Sequence, residues 1–319
     1  MKTPCFILTI IGFIAFISCN NESESSFATR KGYSRNENLK GDIASVIVSH
    51  YNLENKFGEE QQGELKIEEQ FIFNDAGNVI EEITYNPNGN PGYKYSTVKR
   101  VYNEKNDLIK KIEHSEDTTY KKETRYLYDS KGKRIEERSS DYFIVSTGEY
   151  IETLNYVKKH NYNSLGKISE ISSYKSSGDL VTKTLYTYNN KGNLVECREY
   201  DSKDKLNYMY TFCYDRKGNR IEEAKYDSEE VLIENRCILY KKGLPIEAHI
   251  YSYGELTRKV VSKYENGNAI EEINFLANGD IECVFACAYD DMGNLIEQKL
   301  YEGNIKQPAA LTIWNIEYR

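Results

Sequence analysis

Short β-branched and aromatic runs, such as Val181-Thr182-Lys183-Thr184-Leu185-Tyr186, alternate along most of the chain with polar segments that contain glycine. No helical period runs through them, and the pattern predicts strands. The segments align on an aromatic residue followed by Asn or Asp and then Gly. Phe73-Asn74-Asp75-Ala76-Gly77-Asn78-Val79-Ile80-Glu81 returns as Tyr128-Asp129-Ser130-Lys131-Gly132-Lys133-Arg134-Ile135-Glu136 and as Tyr214-Asp215-Arg216-Lys217-Gly218-Asn219-Arg220-Ile221-Glu222. The anchors are Phe73, Tyr102, Tyr128, Tyr162, Tyr188, Tyr214, Tyr240, Tyr264 and Tyr289, mostly 24 to 26 residues apart. The steps are 29 at the first anchor and 34 between Tyr128 and Tyr162, where Ser139 to Thr147 reads as an inserted loop. A period of this size marks a stacked array of supersecondary units.

Each period contains two turn signals. The Asn/Asp-x-x-Gly segment starts with a side chain that caps its own turn, and glycine supplies a positive φ. A second turn follows a further aromatic, as in Tyr85-Asn86-Pro87-Asn88-Gly89, Tyr174-Lys175-Ser176-Ser177-Gly178 and Phe275-Leu276-Ala277-Asn278-Gly279. Two turns per period leave two strands, so the unit is a β-hairpin. Three residues beyond the turn glycine stand Ile80, Ile109, Ile135, Val195, Ile221, Ile246, Ile270 and Ile296, with Ser169 breaking the series and Asn106 replacing glycine in one repeat. This row is expected to be the core face. One residue further stand Glu81, Glu136, Glu170, Glu196, Glu222, Glu247, Glu271 and Glu297, with Lys110 as the exception, and these should point the other way. Tyr85, Tyr174, Tyr200, Tyr226, Tyr251, Phe275 and Tyr301 share the glutamate side.

Tyr-Asp-x-x-Gly-Asn-Leu, nearly intact in Tyr289-Asp290-Asp291-Met292-Gly293-Asn294-Leu295, resembles the YD repeat of Rhs and teneurin-type proteins. The resemblance covers residues 73–301 in about nine copies. It implies a continuous strip of hairpins that in large relatives curls into a shell around a toxin or other cargo. This chain is much shorter and has neither the Asp-Pro-x-Gly boundary motif nor a distinct toxin domain after Tyr301. The expected fold is therefore all-β: a repetitive antiparallel hairpin array forming one curled sheet or partial shell. About eighteen strands exceed what an open twisted sheet holds without curling. Residues 305–319, with the single Trp314, read as a terminal strand capping an open edge.

The N-terminus has separate chemistry. Lys2 precedes a twelve-residue apolar run, Phe6 to Ile17, which is too short to cross a bilayer and fits a signal peptide over residues 1–18. Phe16-Ile17-Ser18-Cys19 resembles a bacterial lipobox, which would make Cys19 the lipid-attachment residue; the alternative is an ordinary cleaved signal with an incidental cysteine. The polar stretch over 19–40 reads as a disordered tether and 41–319 as the β-repeat domain. Glu22 and Glu24 resemble surface-export signals, so the expected location is the cell envelope, anchored to the outer membrane and facing outward.

Composition narrows the function classes. The chain has 42 basic and 50 acidic residues and no basic stripe, which argues against nucleic acid. Tyrosine is abundant, at 28 residues, as suits strands with partly buried aromatics. Five cysteines remain after Cys5 and Cys19, an odd number. Cys283 and Cys287 lie about 13 Å apart in a strand, beyond disulfide reach. Buried thiols are expected rather than a metal site, since His50, His114, His160 and His249 are scattered. No phosphate loop, HExxH or GxSxG motif is present, and equivalent repeated carboxylates do not make an acid–base pair. We therefore expect no enzymatic activity, no cofactor and no metal. The glutamate row has two readings: pairing with neighbouring Lys or Arg, or a carboxylate and tyrosine surface for sugars or a divalent cation. The candidate binding face comprises Tyr85, Tyr174, Tyr200, Tyr226, Tyr251, Tyr301, Glu196 and Glu222. The expected function is a binding or adhesion module for a glycan or protein; the alternative is a non-enzymatic scaffold in a toxin or secretion system. The membrane is contacted through the lipid alone.

Overall fold

A computed structural model describes residues 39–85, 94–115, 120–144, 150–303 and 307–319. Cys19 and the signal lie outside them. The described residues form twenty antiparallel strands and no helix, from β1 (Ile43–Lys56) to β20 (Gln307–Tyr318), each paired with its neighbours in sequence. β1 also pairs with β20, from Ile43 opposite Tyr318 to Asn52 opposite Ala310. The sheet is therefore a closed barrel, not the open curled sheet or partial shell expected from the repeats. The terminal strand does not cap an edge; it joins the first strand and removes the edge.

The hairpins form for the reason the turn chemistry gives. In the turn after β12 (Leu206–Tyr214), the Asp215 carboxylate accepts the backbone N–H groups of Lys217 and Asn219 at 2.8 Å each, and Gly218 has φ +89°. Asn106, in the glycine position of its repeat, adopts φ 64°. The tyrosine anchors tie one repeat to the next. Tyr102, Tyr128, Tyr162, Tyr214, Tyr264 and Tyr289 donate their hydroxyls to the carbonyls of Val79, Leu108, Arg134, Leu194, Pro245 and Ala269 at 2.7–2.9 Å.

One register shift recurs in every repeat and corrects the expected core. Tyr214 stands opposite Arg220 while Cys213 stands opposite Glu222, so Ile221 is an extra residue on the second strand. The same shift leaves Ile80, Ile109, Ile135, Ser169, Val195, Ile246, Ile270 and Ile296 without partners. The isoleucine row is a row of β-bulges. Ile109, Ile135 and Ile221 are exposed rather than core. The buried row lies one residue earlier and includes Val79, Leu108, Arg134, Ile168 and Leu295.

Side chains on the inside of a closed cylinder converge, whereas those outside diverge, which identifies the more buried face as the inner wall. It carries Phe71, Tyr126, Tyr186, Cys197, Phe212, Ile238, Ala248 and Val260, all buried. The outer face carries the exposed Val101, Leu127 and Leu239 together with the glutamate row. Apolar clusters interrupt a largely polar inner wall. The cluster at the seam joins Val46, Val48, Phe71, Phe73 and Val79 to Trp314 and Ile316. Polar bonds lock the same seam: Arg319 donates to Asp42 and to the Phe73 carbonyl, and Asn294 joins Lys40 to the Tyr318 hydroxyl. The expected inserted loop is instead a longer hairpin, with Ser139–Ile144 inside β7 (Arg134–Ile144) facing β8 (Tyr150–Tyr162).

Turn strain and tyrosine tethering can be compared in one repeat. A Cβ on Gly218 meets nothing within 4 Å, so Gly218→Val acts through backbone strain alone and should cost about 1–3 kcal/mol. Tyr214→Phe removes one hydroxyl bond and should cost about 1 kcal/mol. Tyr226→Ala, on the outer face, should cost less than Gly218→Val. Urea midpoints test the order, and a larger loss for Tyr226→Ala would reverse the assignment of faces.

Candidate functional site on the inner wall

The outer tyrosines and glutamates are on one face, as expected, but they are half-buried and distributed around the barrel rather than gathered. They are mostly occupied with one another and with neighbours. Tyr85 donates to Gln70 at 3.1 Å, Tyr301 donates to Glu60 at 3.2 Å, and Tyr251 lies 3.5 Å from His249. Tyr174 and Tyr200 have Lys159 and Lys183 over their rings at 5.3 and 5.7 Å. Tyr226 stands opposite Leu232 in the ladder. Glu196 pairs with Arg198 at 3.0 Å, and Arg198 also reaches Glu230 at 2.7 Å. Glu222 lies between Cys213 and Cys237 on the adjoining strands, where burial, reinforced by the Glu222 charge, raises both thiols above their ordinary range. Other members of the row pair with cations: Glu81 meets Lys99, Glu136 meets Arg138, Glu247 meets Lys259 and His249, and Glu271 meets Lys263, while Glu170 accepts from the Ser172 hydroxyl. These pairings favour the structural reading of the glutamate row.

The cysteines do not all match the expected buried thiols. Cys197 is buried but is not a free thiol, Cys213 is a free thiol but exposed, and Cys237 is free and half-buried. Among the described residues no three His, Cys, Asp or Glu side chains are placed to hold a metal ion.

Polar groups on the inner wall are less completely satisfied. β7 and β8 pair Glu137 with Lys158 and Ser139 with Tyr156, which puts Arg134, Glu137, Ser139, Tyr156, Lys158 and His160 on one inner surface. Glu137 accepts from the Tyr156 hydroxyl at 2.8 Å and lies 3.8 Å from Lys158 and 4.0 Å from Arg134. Arg134 packs its guanidinium 4.3 Å from the centre of the Tyr126 ring. The Tyr128 hydroxyl also lies beside this guanidinium. Among the described residues its Nε and Nη2 nevertheless make no hydrogen bond of ordinary geometry, nor does either ring nitrogen of His160 or the Ser139 hydroxyl. All three side chains are buried, at 6%, 5% and 0% exposure. Burial, reinforced by the Arg134 charge, pushes His160 down to about 4, so the ring is neutral at physiological pH. Further round the wall Arg220 pairs with Glu223 at 2.7 Å, while burial raises Glu272 above its ordinary carboxylate range.

The outward carboxylates were visible in the sequence; the inner polar groups were not. A signal for them existed. Arg134 and Arg220 occupy the position that holds Val79, Leu108, Ile168, Leu194 and Leu295 in other repeats. A charge replacing an aliphatic residue in a buried row marks a polar interruption of the wall.

No protein-family model matches the chain, and no curated protein does. Several solved structures align with it at low similarity. A porin-like protein from Bacteroides uniformis is 13% identical, aligned over 69% of this chain and 96% of that one, with a TM-score of 0.37. A porin-like protein from Bacteroides vulgatus is 14% identical over 87% and 99%, with a TM-score of 0.32. A TcdB2-TccC3-Cdc42 structure matches 75% of this chain at 11% identity and a TM-score of 0.16, and the match spans about a fifth of that chain, 20%. Similarity at these levels carries no information about activity.

His160 provides a stability signature for the inner wall. Its folded pKa, about 4, lies below the ordinary value of 6.5, so the unfolded chain takes the proton first. The contribution is complete above pH 6.5 and is lost as pH falls toward 4, by up to about 3 kcal/mol. Urea titrations between pH 7 and 5 should show stability falling in the native chain and a shallower fall in His160→Gln. Identical slopes would show that His160 is solvated.

Proposed function

We propose that this chain is an exported, lipid-tethered β-barrel of the cell envelope that binds a glycan on its inner wall and catalyses no reaction. The observation carrying this reading is the contrast between the walls. Outside, most of the repeated carboxylates have cationic or hydroxyl neighbours; inside, buried polar atoms of Arg134, Ser139 and His160 make no hydrogen bond among the described residues. Twenty strands also enclose more space than their own side chains readily fill, since barrels of 16–18 strands already leave an aqueous channel. Tyrosines along that wall offer the apolar faces and hydroxyl edges on which sugars rest. The YD-type repeats support a binding rather than a catalytic role, because each solves the same packing problem with the same residues.

The barrel itself is proposed to stand in water. A membrane-spanning barrel needs an apolar outer band, and a Lys or Arg facing lipid at mid-depth costs about 2–4 kcal/mol. This outer wall carries Arg198, His249 and Lys299 among its glutamates. The envelope location thus rests on residues 1–19, with Cys19 as the anchor. A scaffold role would use the outer aliphatics Val101, Ile109, Leu127 and Ile135, which are exposed near one another on successive strands.

Two measurements address this reading. Cys19→Ala should release the protein from the membrane fraction and abolish labelling by a fatty-acid probe, and the released chain should stay soluble without detergent. Retention in the membrane would indicate that the wall itself inserts. On a glycan array the mature protein should bind discrete sugars, and a blank array beside recovery of one envelope protein in a pull-down would favour the scaffold.

A further inference from the structure

Among the inner-wall groups, those around Arg134 define a ligand chemistry. The side-on edge of this guanidinium, formed by Nε and Nη2, makes no hydrogen bond of ordinary geometry among the described residues, whereas Nη1 faces Glu137 and the Tyr128 hydroxyl lies beside the group. Two parallel N–H groups on that edge match two oxygens of one oxyanion, and Arg recognises such groups in bidentate geometry. His160 lies alongside on β8, and as a neutral ring it supplies one N–H donor and one acceptor. Ser139 adds a hydroxyl on the same face, about 13 Å farther along β7 at 3.3 Å per residue.

Charge decides between candidate anions. Among the described residues Glu137 is the one carboxylate in contact with both Arg134 and Lys158, and Lys133 stands at the rim, its ammonium 4.8 Å from the centre of the Tyr162 ring. Two cations share one anion beside a neutral histidine, which leaves one positive charge in excess at the wall and more at its rim. A buried charge without a counterion is costly, and one monoanion balances it. A carboxylate supplies one charge, whereas phosphate supplies nearly two and would face Glu137 as well. The Tyr126 ring, 4.3 Å from the guanidinium, and the Tyr156 ring, whose hydroxyl bonds to Glu137, supply aromatic surface suited to the body of a sugar.

We propose that Arg134 and His160 form a binding subsite for the carboxylate of an acidic sugar, with Ser139 contacting a neighbouring unit of the same glycan. This inference rests on the glycan-binding reading of the inner wall and names the class of glycan. It assigns Arg134 the bidentate contact and His160 the flanking hydrogen bond. Glu137 and Lys158 position the guanidinium.

The test is calorimetry on the full mature protein with three probes: galacturonosyl-galactose, a disaccharide with one carboxylate; the neutral disaccharide galactobiose; and inorganic phosphate. The acidic disaccharide should bind saturably and at least tenfold more tightly than galactobiose or phosphate. Arg134→Lys, which keeps the charge but loses the two-pronged edge, should weaken the acidic disaccharide at least tenfold, and His160→Asn and Ser139→Ala should each weaken it less. If the arginine variant does not fold, the latter two variants and the ranking of the three probes on the native protein decide the question. Equal binding of galactobiose and the acidic disaccharide, unaffected by these substitutions, would overturn the subsite while leaving the glycan reading intact. Phosphate binding as tight as the acidic disaccharide would overturn the carboxylate assignment, and failure of every probe on the native protein would overturn the proposal.

Discussion

Each repeat carries one residue more on the strand after its Asx-Gly turn than on the strand before it, and the architecture depends on that extra residue. A bulge bends its strand and increases the local twist. Repeated in phase through the chain, it supplies the curvature by which twenty strands return on themselves. It also rotates the side chains beyond it, so that Val79, Leu108 and Leu295 point inward and the adjoining Ile80, Ile109 and Ile296 do not. A bulge disrupts the ladder and leaves backbone groups in need of partners. The tyrosine hydroxyl of the next repeat answers that need, as Tyr214 does at the Leu194 carbonyl. The tyrosine and the bulge therefore form one device, which explains why both recur at the same period.

Closure requires a specialised seam because β1 and β20 come from opposite ends of the chain. Their pairing forfeits the favourable entropy of a local hairpin, and the seam compensates by concentrating apolar contact and polar bonds. Trp314 and Ile316 pack against Val46 and Val48, and Arg319 bonds to Asp42 and the Phe73 carbonyl. A ring closed in this way has no edge among its described strands on which another chain could extend the sheet.

The repeat, its turns and the common face of its glutamates and tyrosines were legible because they are local. Asp215 and Gly218 act within five residues, and Asn106 could be recognised as the substitute for glycine from spacing alone. The core was misread because simple alternation was counted through a position where the backbone inserts a residue. Alternation from Ile221 places it inside; the bulge places it outside. Closure was illegible for a different reason: nothing in residues 43–56 reveals that their partners are residues 307–318. The inner subsite was illegible because a repeat announces itself through the residues that recur, whereas Arg134 and His160 matter as departures from it.

That last distinction bears on where recognition can arise in a repetitive barrel. Repeated outer charges occur beside repeated cations, and exposed pairs of this kind contribute about 0–1 kcal/mol each. Removing one changes little, so the outer row serves every unit equally and singles out no place on the surface. The inner wall has the opposite economy. A buried guanidinium or imidazole with vacant hydrogen-bonding capacity costs several times more than an exposed pair gains. Such a cost can be offset by whatever next supplies the missing oxygen atoms, water included. Water satisfies hydrogen bonds but not the unbalanced charge beside Arg134, Lys158 and Glu137. The excess charge is what separates a hydrated wall from one with a preference for an anion, and it resides in β7 and β8, the hairpin that departs furthest from the common repeat.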